Sequence, residues 1–87
     1  MPTEPLGTDE PTPMERYLVT SRLRDVAARL TAEYAFRDRL GDRDALPALL
    51  LMRRRVLEVD PSNFEAQRAL TRDIAAEWLR LRSERGF

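Results

Sequence analysis

Apolar positions along the chain fall into blocks that repeat at helical spacing, separated by short polar breaks. From Met14 to Leu40 neither Gly nor Pro interrupts the pattern, and Val19, Leu23, Val26, Ala27, Leu30 and Tyr34 share one stripe. This predicts a long first helix over 14–40, opened by Pro13 and Met14 and followed by Gly41. Asp25 with Arg29 and Glu33 with Arg37 are acid-first pairs four residues apart, expected on another face of that helix.

The break Gly41 to Pro47 carries Asp42 and Asp44, either of which can cap a second helix over 44–59, with Pro47 in its first turn. Leu46, Leu49, Met52 and Val56 mark its apolar face, widened by Leu50, Leu57 and Val59. Because this block is the most hydrophobic of the chain, it is expected to be the central and most buried helix. Asp60-Pro61 stops it, since proline cannot continue the hydrogen-bond ladder and disfavours helix in the residue before it. Ser62 with Glu65 has the form of a capping box opening a third helix over 62–85. Ala66, Leu70, Ile74, Trp78 and Leu81 form its stripe. Arg80, Arg82 and Arg85 stand near its negative end, and Gly86 can close it. The fold class is therefore all-α, a three-helix antiparallel bundle in a single domain over 14–87.

Lengths bear on how completely the helices cover one another. At about 1.5 Å per residue the first helix reaches roughly 40 Å and the second only roughly 20 to 24 Å, so the first must overhang. Leu18, Phe36 and Leu40 lie off its main stripe, which makes them candidates for contact with another molecule, together with Trp78 and Phe87 toward the far end. Trp78 also sits on the stripe of the third helix, where a core position is the first expectation. The three arginines Arg53, Arg54 and Arg55 form no single patch, because successive residues turn by about 100° and the run fans over roughly 200°. They read as a solvated rim, with Arg54 able to pair with Glu58 and the Arg53 stem along the edge of the core.

The stretch "ALLLMRRRVLEVDPSNFEAQRAL" resembles the second helix of a tetratricopeptide repeat, the stop after it and the start of the next repeat. Leu57, Glu58, Val59, Asp60, Pro61 and Asn63 carry the likeness, and Ala66 and Leu70 fit the helix that follows. Arg53 stands where that family usually has an aromatic, and Leu49 where it usually has a small residue. The resemblance spans residues 41–74. It implies a helical hairpin and a role in protein binding. Arrays of such repeats generally need about three units to stand alone, so the long first helix or another chain must complete the packing.

Composition narrows the chemistry. The chain has 87 residues, 15 basic and 15 acidic side chains, and neither His nor Cys, so thiolate, imidazole and disulfide chemistry are excluded. All the basic residues are arginine. Asp42 and Asp44 open like a calcium loop, but Leu46, Pro47 and Arg53 occupy later positions where such a loop needs ligands or glycine. No catalytic residue, cofactor, metal or small-molecule substrate is expected.

The first thirteen residues hold four of the six prolines and three acids. Their composition is that of a disordered acidic tail, and no signal peptide or membrane-spanning stretch is read, so a cytoplasmic location is expected. Nucleic acid is the rival partner, through arginines such as Arg22, Arg24 and Arg29 if folding gathers them. From Met14 onward, however, fifteen arginines face twelve acids, too small an excess for a typical nucleic-acid binder. These features point to a non-catalytic protein-interaction module or small accessory subunit that associates with itself or with a protein partner. The alternative is a small helical DNA-binding regulator.

Overall fold

A computed structural model describes residues 12–84, which form α1 (Pro13–Arg39), α2 (Ala45–Glu58) and α3 (Phe64–Glu84), with no strand among them. The fold is all-α, as the three apolar stripes predict. The first eleven residues, and with them most of the expected tail, lie outside the described residues, as do Arg85, Gly86 and Phe87.

Each helix boundary has a local cause. The Thr12 side chain accepts a hydrogen bond from the Glu15 amide at 3.1 Å, and the Thr12 amide donates to Glu15 Oε1 at 2.8 Å. This reciprocal capping box opens α1, with Pro13 at the first helical position, so Thr12 and Pro13 belong to the helix start and not to the tail. Gly41, just past the end of α1, has φ +95°, a conformation costly for any residue with a Cβ. Asp42 Oδ1 accepts from the Asp44 amide at 2.9 Å and shapes the turn into α2, while Asp44, the N-cap residue, makes no side-chain cap bond.

The expected Ser62 and Glu65 box is replaced by a different arrangement. Asn63 Oδ1 accepts from the Ala66 amide at 3.0 Å and caps α3. Ser62 is turned back to Asp60, donating from both its amide and its hydroxyl to Asp60 Oδ1 at 2.9 and 2.8 Å. These two donors hold the Asp60 carboxyl below its ordinary range. The capping pattern was therefore one residue out of register, because Asp60 competes for the serine.

The order of the contacts gives the topology. Arg16 lies over Phe64, Thr20 bonds Gln67, Tyr34 bonds Glu77, and Arg37 reaches Leu81 and Glu84. Residue numbers rise together, so α1 and α3 run parallel. Ion pairing between Arg55 and Asp73 and the seating of Met52 and Val56 beside Arg24 and Ala27 set α2 antiparallel to both. The bundle is up, down, up.

The most buried helix is not α2. On α1 the buried residues are Val19, Leu23, Leu30, Glu33 and Tyr34, and on α3 Gln67, Leu70, Ile74 and Leu81, but α2 contributes only Ala45 and Met52. The two longer helices lie side by side along their length, whereas α2 packs chiefly on α1 and barely meets α3. A helix covered along one edge can bury one narrow stripe and no more. Ala48, Leu49, Val56 and Val59 are accordingly half-buried, while Leu46, Leu50 and Leu57 stay outside.

Buried polar groups lock the α1 and α3 pair. Gln67, 2 % exposed, accepts from Thr20 Oγ1 at 3.2 Å and donates to the Pro61 carbonyl at 2.9 Å, tying the inter-helix turn to α1. Glu33 was expected on an outer face but is buried, paired with Arg37 at 3.2 Å. The reason is the reach of Arg37, whose Nη2 donates to the Leu81 carbonyl at 2.6 Å and whose Nη1 meets Glu84 at 3.4 Å. The Asp25 and Arg29 pair, at 3.3 Å, is exposed as expected.

Candidate interaction surface

The face of α2 that α1 leaves uncovered is made of leucines. At about 100° per residue, Leu46, Leu50 and Leu57 fall within roughly 40° of arc. They are 48 %, 55 % and 82 % exposed. Arg53 stands at the margin of the row and also lines a groove of about 290 Å³ between α1 and α2. Arg24, Ala27, Ala28 and Thr31 form the α1 wall of that groove, and Met52, Val56 and Leu57 form its α2 side. Among the described residues no carboxylate lines it. Small side chains on α1 make the groove, since Ala27 and Ala28 leave space beside Val56 that a larger residue would fill.

The contact residues chosen from sequence are spread over the molecule. Leu18 and Phe36 share an azimuth on α1 but stand about 27 Å apart along its axis, with the Asp25 and Arg29 ion pair between them. Phe36 and Leu40 are brought together, lining a recess at the C-terminal end of α1 with Arg37, Gly41, Asp42 and Glu84. Trp78 is half-buried against the core, and Arg29 and Arg82 cover its ring at 5.5 and 5.0 Å from the centroid. Phe87 lies outside the described residues. Beyond the end of α2, the first turns of α1 expose Met14, Tyr17 and Leu18, the overhang expected from the unequal lengths.

The α2 leucines were visible in the sequence but assigned to the core. A signal for them existed: eight large apolar residues in and just after a helix this short cover far more than half its circumference, more than one neighbour can bury.

Arginines also gather between α1 and α3. Arg22, Arg68 and Arg72 border a groove of about 190 Å³ along the outer seam of α1 and α3, over Val19 and Thr71. Arg68 is engaged by Glu65 at 3.1 Å. Of the arginine run, Arg55 pairs with Asp73 at 2.9 Å across the helices, and Arg53 lies along the α1 groove.

Tyr34 and Glu77 are shifted away from neutrality. Burial, and then the hydrogen bond to Glu77, push the Tyr34 hydroxyl up to about 12. Hydrogen bonds from Arg80 and then from Tyr34 hold Glu77 below the usual carboxylate range. At neutral pH these are a fixed donor and a fixed acceptor, at 3.1 Å. No group of three or more His, Cys, Asp or Glu is gathered among the described residues, and none of their helices is long and apolar enough to cross a membrane. Compared with known proteins, the chain matches no family model, no curated protein and no solved structure.

Proposed function

We propose that this chain is a non-catalytic protein-interaction module that docks through the outer face of α2. The observation that carries the reading is the row Leu46, Leu50 and Leu57, apolar side chains on one helix face that stay about half exposed or more among the described residues. Isolated exposed leucines are ordinary, but an aligned row beside an apolar groove is the form of a helix-docking surface. The resemblance of 41–74 to a tetratricopeptide hairpin supports the same reading, as that family binds proteins. A cytoplasmic setting and self-association belong to the same proposal.

The test compares the full chain with a Leu50→Glu variant by light scattering and by affinity capture from the native host. Leu50 is exposed, so the variant is expected to keep the helical circular dichroism of the wild type and to lose assembly, with itself or with a partner. Equal assembly by both chains, or none by either, overturns the reading.

A further inference from the structure

The outer seam of α1 and α3 carries positive charge over an apolar floor. Arg22, Arg68 and Arg72 are exposed and border its groove, with Val19 and Thr71 beneath, and among the described residues no carboxylate lines it. Glu65 pairs with Arg68 at 3.1 Å, whereas Arg22 and Arg72 form no ion pair among the described residues. Arg68 and Arg72 are like charges four residues apart on α3, which repel until an anion lies between them. The segment before Thr12 has the opposite character: residues 1–11 hold Glu4, Asp9 and Glu10, no basic side chain, and one leucine, Leu6. We propose that residues 4–10 of this chain lie back along the outer seam, with the Glu4 carboxylate between Arg22 and Arg72 and Leu6 over Val19.

Chain length and the place where the segment joins the fold both fit. Thr12 caps α1, and Arg16 lies over Phe64 one turn further on, so the segment enters at one end of the seam. Along the α1 axis Val19 is about 10 Å and Arg22 about 15 Å from Thr12. The Thr20 bond to Gln67 sets Arg68 level with this stretch, and Arg72 follows one turn later. An extended chain covers about 3.3 Å per residue, so Leu6 reaches up to about 20 Å from Thr12 and Glu4 up to about 26 Å. Both targets lie inside those limits, with length left for the chain to turn back. Glu65 and Glu15 stand at the near end, but Glu65 is engaged by Arg68 and Glu15 by the Thr12 amide. The uncompensated charge is therefore at Arg22 and Arg72, and Glu4 is the acid with the length to lie between them. Tethering favours this occupant over a free acidic peptide, because a short linker holds it at an effective concentration on the order of millimolar. With one leucine to bury, the contact is mainly electrostatic and salt releases it.

The experiment uses the full chain. It contains no Cys, so a spin label on Thr3→Cys is unique and reports the place of Glu4 by broadening nearby amide signals in NMR. Arg22 and Arg24 stand at similar heights on α1 but about 200° apart, Arg22 on the seam and Arg24 in the groove beside α2. A docked segment broadens Arg22 and Arg72 at least about twofold more than Arg24, and 1 M salt, with a Debye length of about 3 Å, removes the difference. Glu4→Arg is expected to abolish it, as is the pair R22E/R72E, with helicity checked by circular dichroism. Joining the three substitutions restores it. Glu4 precedes α1, so its variant reads the contact without altering a helix. Equal broadening of Arg22, Arg72 and Arg24 overturns the proposal, and so does a difference that survives high salt or either charge variant. If broadening is equal and R22E/R72E instead abolishes binding of duplex DNA, the seam serves nucleic acid and the proposal falls. The contact is independent of the α2 face, so Leu50→Glu is expected to leave the broadening pattern unchanged.

Discussion

Tyr34 and Arg37 carry the polar part of the α1 and α3 interface, and each makes a distinct prediction. The Tyr34 hydroxyl ionises near 10.0 in an unfolded chain but only at about 12 in the fold, because burial disfavours the phenolate and the neighbouring Glu77 carboxylate repels it. A raised acid pKa stabilises the fold fully below pH 10, and that contribution disappears as pH climbs toward 12. It amounts to about 2 kcal/mol. Denaturant midpoints are expected to fall over that window in the wild type, and Tyr34→Phe is expected to remove this part of the decline. Glu77 has the opposite sign. Its lowered carboxyl stabilises above the ordinary carboxylate range, and the benefit is lost as pH falls through its folded value.

Arg37 is more demanding, since its guanidinium serves Glu33, Glu84 and the Leu81 carbonyl together. Arg37→Met removes the cation from a carboxylate that is nearly fully buried, and is expected to cost about 2 to 3 kcal/mol in urea unfolding. Arg29→Met, whose ion pair with Asp25 is exposed, is expected to cost less than about 1 kcal/mol through that pair.

At the scale of the helix, stability concentrates at the ends. Thr12 and Asn63 each satisfy an amide that has no partner inside its helix. Replacing either with Ala is expected to lower stability by about 1 kcal/mol, read from thermal denaturation. Gly41→Ala tests a different cause. A Cβ there meets nothing within 4 Å, so the expected loss of about 1 kcal/mol comes from the left-handed backbone alone. An unchanged midpoint would mean that the turn between α1 and α2 relaxes without strain.

Across the whole molecule, what matters is which of many similar leucines the packing uses. Leu30 is 2 % exposed at the centre of α1, and Leu30→Ala is expected to cost about 3 kcal/mol through the cavity it leaves. Leu57→Ala, at a residue that touches little of its own chain, is expected to shift unfolding of dilute protein by no more than about 0.5 kcal/mol. Its effect is expected in assembly instead. The contrast arises because α2 packs chiefly on α1 and little on α3, which leaves Leu46, Leu50 and Leu57 exposed among the described residues.

Much of this was legible along the chain. Helix existence, the stops at Gly41 and Asp60-Pro61, and the burial of Val19, Leu23, Leu30, Tyr34, Leu70, Ile74 and Leu81 follow from spacing, because apolar periodicity is a local property. Other features depended on where the helices lie relative to one another. Glu33 is buried with its i+4 partner Arg37 reaching on to α3, and Gln67 is buried where Thr20 of α1 meets it across the helices; spacing gives the first pairing but neither burial. Asn63 displaced Ser62 as cap because Asp60 captured the serine. The rank of the helices also waited for the tertiary structure: hydrophobicity says how much surface a helix must hide, while only its neighbours say how much they cover. By itself the sequence determined three amphipathic rods and their turns. The packing decided that the most apolar of them lies at the side, with its leucines facing outward.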